Sequence, residues 1–179
     1  LYKAHNFFLV NHPEILKVYK KIAGNEKHVL KKNFNRPTSF INRMHKRHSH
    51  ADITIIDEAH LLLSEGDHFN NFYQKNQLRE IINCSQIVIL VFDRHQVLRT
   101  KSFWNLNRLH QIIKPYINDS YHLKHQFRMT ASDDLIRWID NFTDGHLTPL
   151  PNNARYHYDF RVFNDAEKMR KAIVKRNQA

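Results

Sequence analysis

The strongest signal in this chain is the stretch Ile53-Thr54-Ile55-Ile56-Asp57-Glu58-Ala59-His60. Its first four residues are apolar or β-branched, which is typical of a central parallel strand covered on both faces. Two adjacent carboxylates, Asp57 and Glu58, follow at the C-terminal end of that strand. Such a pair can hold Mg²⁺ through water with one carboxylate and take a proton from an attacking water with the other. The alternative is a strand followed by an acidic helix start that only offsets the helix macrodipole.

Strands and helices alternate along the rest of the sequence. Predicted strands cover residues 6–10, 53–56, 86–92, 121–123 and 158–163, with a short edge strand within 27–34. Predicted helices cover residues 13–23, 72–83, 102–113 and 165–175, and two more begin near Pro37 and Ser132. Residues 64–71 are polar and predict an exposed loop. Because helices separate the strands, the pattern favours an α/β fold with three layers and a mostly parallel sheet.

Length and composition limit the organisation of the chain. With 179 residues and 41% hydrophobic content, it can bury one substantial core. We therefore place a core domain in residues 1–150. Two prolines near residue 150 predict a linker, so residues 151–179 are expected to start a second domain or to form a C-terminal β-α extension.

Charge and cysteine content point to the setting in which the protein works. The net charge of +11 favours a polyanionic partner such as DNA or RNA. One cysteine, Cys84, allows neither an internal disulfide nor a cysteine-based zinc site, which favours a reducing, cytoplasmic location. The sequence contains no apolar run long enough to predict a membrane span.

Polar residues also follow the second apolar strand. Asp93 stands at its end, and Gln96 comes three residues later. Because ligands of open α/β sheets bind beyond the carboxyl ends of the strands, Asp57, Glu58 and Asp93 are expected to face one crevice. If the crevice binds ATP, Gln96 would hydrogen-bond the γ-phosphate or the attacking water. Arg128 would supply positive charge to the γ-phosphate in the transition state of hydrolysis. The alternatives are a strand-ending Asp93 that turns the chain and a surface Arg128 near a helix start.

These motifs carry a family resemblance. Ile-Ile-Asp-Glu-Ala-His at 55–60 resembles a helicase Walker B motif, and Phe-Asp-Arg-His-Gln at 92–96 resembles motif III of superfamily-one helicases, although Phe92 stands where glycine is usual. His-Gln-Phe-Arg at 125–128 resembles their motif IV. Together with Asn-His-Pro at 11–13 and Tyr-Asp-Phe-Arg-Val-Phe at 158–163, the chain is similar to the Schlafen-type DNA/RNA helicase-like ATPases. The resemblance implies a RecA-like P-loop NTPase core.

The resemblance also implies a role for each site residue. Asp57 would bind Mg²⁺ through water, and Glu58 would be the general base of ATP hydrolysis. His60 would couple the site to motif III, Gln96 would sense the γ-phosphate, and Arg128 would be the arginine finger.

One expected element of such a site is missing from the sequence. A phosphate-binding loop of the form G-x-x-x-x-G-K-S/T is absent, because the three glycines, Gly24, Gly66 and Gly145, stand far apart. The chain also begins with Leu1, directly ahead of an apolar run. We therefore expect a piece of a longer protein that lacks the first β-loop-α unit of the core and does not hydrolyse ATP in isolation.

Clusters of histidines and aromatic residues give two weaker signals. His45, His48 and His50 lie close together, but zinc sites draw ligands from separate segments, so a solvated basic surface is the preferred interpretation. Phe103 and Trp104 could stack on bases of a single strand, as could the aromatic residues between 69 and 73. Packing in an apolar core explains these aromatic residues equally well.

The sequence thus predicts a domain that couples ATP hydrolysis to remodelling of DNA or RNA. The alternative is a non-catalytic nucleic-acid-binding or scaffold module that keeps the ATPase fold. A third interpretation is a nucleotide-regulated switch.

Overall fold

The computed structural model describes residues 5–93, 104–123, 131–152 and 160–178. The chain divides into two compact units, Leu1–Ser120 and Tyr121–Ala179. The strands of the first unit are β1 (Asn6–Val10), β2 (Phe34–Asn35), β3 (Ala51–Asp57) and β4 (Ser85–Leu90). Its helices are α1 (Pro13–Ala23), α2 (Pro37–Arg47), α3 (Gln77–Asn83) and α4 (Leu106–Ile113), with short 3-10 helices at Lys31–Asn33, Ala59–Leu61 and His68–Asn70. The second unit contains α5 (Asp133–Thr143) and α6 (Ala166–Asn177).

The four strands of the first unit form one parallel sheet in the order β2-β1-β3-β4. β1 pairs with β3 from Asn6 opposite Ile53 to Val10 opposite Asp57. β3 pairs with β4 from Ala51 opposite Ser85 onward. The strand that ends in the carboxylate pair is therefore central, as its β-branched sequence predicts.

Helices cover both faces of the sheet, which makes the first unit a three-layer structure. Phe7 and Phe8 are consecutive in β1 and therefore point to opposite faces. The Phe7 ring contacts Phe40 of α2 at a centroid distance of 5.2 Å, and the Phe8 ring contacts Tyr19 of α1 at 4.7 Å. This confirms the predicted α/β fold with a three-layer, parallel, RecA-like arrangement.

The main core lies between the sheet and the layer formed by α2 and α3. It includes Leu9, Phe40, Ile56, Leu78 and Ile81, each exposing 1% of its surface or less. On the α1 side, β4 is less well covered, since Ile87 and Ile89 keep 54% and 50% of their surface exposed. Only alternate residues of β4 therefore pack in the main core, although most of the strand is apolar.

The second unit has a small aromatic core of its own. Ser132 caps α5 by accepting a hydrogen bond from the backbone N–H of Leu135, as the sequence predicts. Trp138 stacks on Phe142 at 5.5 Å and meets the Phe160 ring edge-on at 5.0 Å. The predicted division at residue 150 stays a prediction.

Several local predictions differ from the structure. Within 27–34 the expected edge strand is absent apart from its end: a 3-10 helix covers Lys31–Asn33, and only Phe34–Asn35 pairs with β1. Residues 121–123 and the described part of 158–163 are not strands. α3 begins at Gln77 rather than near residue 72, because Asn76 caps it by accepting the Arg79 N–H. The polar segment 64–71 is only partly exposed.

No helix in the described ranges is both long and apolar enough to cross a bilayer.

Candidate active site

Asp57 is the last residue of β3 and lies beside the end of β1. The Tyr19 hydroxyl donates a 2.7 Å hydrogen bond to Oδ2 of Asp57, and the Glu58 backbone N–H donates a 3.0 Å bond to Oδ1. Both carboxylate oxygens therefore have a protein donor that fixes their direction. Each keeps acceptor capacity for water or a metal-bound water, because an ionised carboxylate oxygen can accept more than one hydrogen bond.

Glu58 turns the chain sharply at the end of the strand. Its backbone has φ 54° and ψ 47°, the left-handed region that non-glycine residues seldom adopt. Such a conformation costs on the order of 1–2 kcal/mol for a residue with a Cβ. The turn starts the 3-10 helix Ala59–Leu61 and brings the side chains of residues 58 and 60 together. Backbone strain of this kind is concentrated at functional sites.

The Glu58 carboxylate is held by a buried histidine. Nε2 of His60 lies 3.0 Å from Oε2 of Glu58, and the side chain of His60 is only 2% exposed. The other ring nitrogen, Nδ1, is buried and has no hydrogen-bond partner in the part of the chain that the structure describes. The Phe92 ring meets His60 edge-on at 6.3 Å. His60 therefore connects the carboxylate to the segment that follows β4.

Backbone hydrogen bonds fix this turn against the neighbouring strand. The Ala59 N–H donates to the Val91 carbonyl at 2.8 Å, and the Val91 N–H donates to the Ile56 carbonyl at 2.9 Å. On the other side, the Asn11 amide donates to the Leu61 carbonyl at 2.7 Å. The ends of β1, β3 and β4 are thus tied together around the carboxylate pair.

A fully buried amide supports the segment after the turn. The Gln77 side chain accepts the Leu63 N–H at 2.8 Å and donates to the Thr38 hydroxyl at 3.0 Å. The Gln77 backbone N–H also donates to the Leu63 carbonyl at 3.0 Å. Because Gln77 is completely buried, these bonds hold the exit from the site in one position.

Asp93 lies three residues beyond the end of β4, at the same carboxyl edge of the sheet as Asp57. It is half-buried and has a bonded partner. The structure thus brings Asp57, Glu58 and His60 into contact and places Asp93 at the end of the adjacent strand. Gln96, Arg128 and Phe103 lie outside the described residues.

Trp104 occupies the core. Its side chain is 3% exposed, and its indole N–H donates a 2.7 Å hydrogen bond to the Leu62 carbonyl. A ring in this position has no open face for a nucleic-acid base, so the alternative interpretation, packing in the core, accounts for Trp104.

Three residues of the site are absent from the sequence-based assignment. Tyr19 and Gln77 have no role in that assignment, and Asn11 enters it only through the Asn-His-Pro motif at 11–13. Tyr19 carried one signal, since a hydroxyl on an otherwise apolar helix face needs a polar partner. Gln77, which follows the polar residue Asn76, carried no comparable signal.

The donor set of the site consists of carboxylate oxygens. Carboxylate oxygens are preferred by Mg²⁺, which keeps several waters and takes one or two protein carboxylates together with substrate phosphates. No cluster of three or more metal-ligating side chains occurs within the described ranges. His45, the first residue of the histidine cluster, instead contacts Glu80 at 3.2 Å.

Comparison with known proteins identifies the family of the chain. The sequence matches the family described as Schlafen group 3, DNA/RNA helicase domain over residues 1–179. The chain belongs to this family. It is therefore a helicase-like domain of a kind that in general binds nucleotides.

One relative of this Schlafen domain is an uncharacterized protein of Saccharomyces cerevisiae. It is 35% identical over 198 aligned residues, which cover 99% of this chain and 44% of the yeast protein. The chain thus spans less than half the length of that relative. No solved structure matches the chain.

Proposed function

We propose that this Schlafen domain contributes the hydrolytic carboxylates of an ATPase that acts on nucleic acid. The observation that supports it is the 3.0 Å contact between Glu58 and the buried His60, immediately beyond the doubly held Asp57. An acidic helix start would need neither a left-handed residue nor a buried imidazole. A general base needs both a fixed direction and a partner that orients it.

Each carboxylate has a separate role in this proposal. When bound, Mg²⁺ supplies charge that stabilises the phosphate oxygens in the transition state. Asp57 would hold that ion through water, since Tyr19 and the Glu58 N–H set the direction of its oxygens. Glu58 accepts the proton of the attacking water through Oε1, since Oε2 contacts His60. Asp93 contributes a further carboxylate at the end of β4.

His60 links hydrolysis to the segment after β4. Its Nδ1 has no hydrogen-bond partner among the described residues and could accept a hydrogen bond from the Gln96 amide, which follows Phe92 by four residues in the sequence. In this proposal Gln96 senses the γ-phosphate and Arg128 stabilises its charge. The proposal for these two residues rests on their motifs.

The test is hydrolysis by the natural protein that carries this domain. Glu58→Gln should retain ATP binding and lose hydrolysis by roughly 10²–10⁴-fold, because an amide cannot accept the proton. Glu65→Gln, an exposed site seven residues away, is the matched control and should hydrolyse ATP at the parental rate. Phosphate release and binding of a fluorescent ATP analogue measure the two properties separately. Hydrolysis at the parental rate in Glu58→Gln would exclude this base.

The 179-residue chain by itself is expected to behave differently. Its sequence lacks a glycine-rich phosphate loop, so ATP·Mg should bind weakly and should not be hydrolysed. Calorimetric titration of the isolated chain checks this. Micromolar affinity would mean that other residues of the chain hold the phosphates.

A pair of exposed aromatic side chains supports the nucleic-acid part of the proposal. Phe69 is 94% exposed and Tyr73 is 65% exposed, around a turn that the Asp67–Phe72 pair closes. The Asp67 carboxylate accepts a 2.6 Å hydrogen bond from the Asn70 amide, which stiffens the turn. A rigid turn with open rings can stack on bases, and each stacked base contributes about 1–3 kcal/mol.

Binding of single-stranded oligonucleotides tests this role. Phe69→Ala should weaken binding roughly tenfold with little change in the salt dependence, because stacking releases no counterions. Tyr116→Ala, an exposed ring elsewhere in the first unit, is the control. Fluorescence anisotropy at several salt concentrations measures both affinity and slope. Equal affinity of the Phe69→Ala variant and the parent would remove the turn from the interface.

The runner-up function is a scaffold module without turnover. The observation in its favour is the missing glycine-rich loop within these 179 residues. It predicts nucleic-acid binding with no ATP hydrolysis by the natural protein, so the hydrolysis assay separates the two functions.

A further inference from the structure

A basic cavity of about 340 Å³ lies at the end of the sheet away from Asp57. It is lined by residues next to the starts of β1 and β3, and β3 runs six residues further to Asp57. At a strand rise of about 3.3 Å per residue, the cavity and the carboxylates are roughly 20 Å apart. The two sites are therefore separate.

The charged lining of this cavity has one sign. Three cations, Lys32, Arg43 and Arg47, line it together with His5 and His50. No carboxylate occurs among the described residues of the lining. Cations from α2 and from the 3-10 helix Lys31–Asn33 converge here, and charges of one sign repel each other unless an anion lies between them.

Arg43 is the least satisfied member of this set. Its Nη1 makes only a long 3.5 Å hydrogen bond to the Lys32 carbonyl, and its guanidinium carbon lies 4.8 Å above the Phe7 ring. Nε and Nη2 are buried and have no hydrogen-bond partner within the described residues. Burial, and then the charge of Arg47, lower the pKa of the Arg43 guanidinium. Unsatisfied buried donors are costly, so a missing acceptor is the simplest account of them.

The basic end of a helix does not account for this arrangement. Cations in the last turn complement the helix dipole, and Arg47 in the last turn of α2 fits that role. Arg43 lies a turn earlier, and the last carbonyls of α2 already accept the backbone N–H groups of His48 and Ser49. The carboxylate of Asp52 at the same end of β3 accepts the His5 backbone N–H at 2.5 Å. Asp52 does not line the cavity.

We propose that this basic cavity binds a phosphate group, with the guanidinium of Arg43 as its main donor. A guanidinium matches phosphate oxygens with two parallel N–H groups, and Lys32 and Arg47 add charge. The Phe7 side of the cavity offers an apolar wall for the carbon skeleton that carries the phosphate. A cavity of this size takes a small ligand, so the phosphate belongs to a free phosphate or nucleotide, or to the 5′ end of a nucleic-acid strand. The site stands independently of ATP hydrolysis at Glu58.

Calorimetric titration of the chain in EDTA tests the proposal without any metal-dependent nucleotide site. The probes are inorganic phosphate, AMP, and one single-stranded oligonucleotide with either a 5′-phosphate or a 5′-hydroxyl end. Arg43→Met, which keeps most of the stem that packs on Phe7, should weaken phosphate binding roughly ten- to a hundredfold. Arg47→Gln, at an exposed position, should weaken it in the same direction without affecting folding.

Lys46→Gln is the matched control, since Lys46 is exposed on the same helix and does not line the cavity. It should bind the probes as the parent does. Tighter binding of the 5′-phosphorylated strand than of its 5′-hydroxyl form identifies a nucleic-acid end as the source, and preference for AMP or inorganic phosphate identifies a free ligand. Two results would overturn the proposal: no binding of any phosphate probe to the parent, or equal binding by Arg43→Met, Arg47→Gln and Lys46→Gln.

Discussion

The hydroxyl of Tyr19 donates a 2.7 Å hydrogen bond to Oδ2 of Asp57, across 38 residues of sequence. The Tyr19 ring is held between Phe8 and Phe34, at centroid distances of 4.7 and 6.3 Å. An aromatic cluster on the α1 face therefore positions a carboxylate that the sequence places at the end of a different element. Packing and site geometry depend on the same side chain.

Tyr19→Phe should separate these two contributions. The ring still packs, but Asp57 loses one donor, so the free energy of unfolding should fall by about 1 kcal/mol. In the natural protein, the Mg²⁺ concentration needed for half-maximal hydrolysis should rise, because the carboxylate is less well oriented. Urea unfolding and a Mg²⁺ titration of ATP hydrolysis measure the two effects. Tyr116→Phe removes an exposed hydroxyl and serves as the control; if it behaves the same way, the Tyr19 hydroxyl has no specific role.

The left-handed backbone of Glu58 gives a second prediction. At φ 54° a glycine avoids the Cβ clash, so Glu58→Gly should be more stable to urea than Glu58→Ala by about 1 kcal/mol. Both variants should lack ATP hydrolysis in the natural protein. The corresponding pair at Glu65, whose φ is not positive, should show the opposite order, with alanine more stable than glycine. The same order at both positions would mean that Glu58 carries no strain.

The elements that were predicted correctly are those with a clear local pattern of apolar residues or a clear helix cap. The apolar runs of β1, β3 and β4 and the capped helices α1 and α5 satisfy local rules, and the structure has them close to the predicted bounds. A strand at 121–123 was wrong, because a short β-branched or aromatic run becomes a strand only where another strand offers a free edge. That partner cannot be read from a local pattern.

The site was predictable only in part for the same reason. Asp57, Glu58 and His60 are close in sequence, and their contact follows from one sharp turn. The contact of Asp57 with Tyr19 depends on β1 lying next to β3, which puts α1 over the end of a strand encoded much later. Trp104 was not predictable for a different reason. The sequence does not distinguish a ring that is exposed and stacks on a base from a ring that is buried and packs in the core.

Gln77 provides a test of the support behind the turn. Gln77→Met keeps a similar shape but leaves the buried Leu63 N–H without its acceptor. The free energy of unfolding should therefore fall by about 2 kcal/mol, as expected for an unsatisfied buried donor. Urea unfolding followed by circular dichroism measures it. Gln111→Met, at an exposed position, should change stability little; an equal loss in both variants would contradict the role assigned to Gln77.

The single cysteine reports on opening of the core. Cys84 lies between α3 and β4 and is 5% exposed. Burial, and then the charge of Glu80, raise the pKa of the Cys84 thiol. Only the thiolate reacts, so a disulfide reagent at pH 8 should label the native chain far more slowly than the chain in urea. Labelling at equal rates would show that this part of the core is open.

The raised pKa of the Cys84 thiol also predicts how the free energy of unfolding changes with pH. Because the folded state holds the Cys84 proton more tightly than the unfolded state, stability is complete below the unfolded thiol pKa and falls as pH rises above it. The contribution is at most about 1.4 kcal/mol per pH unit for one proton. Urea unfolding between pH 7 and pH 10 should show this decline in the parent and a shallower one in Cys84→Ala, which retains every other titrating group. Parallel pH profiles for the two proteins would show that the thiol ionises equally well in the folded and unfolded states.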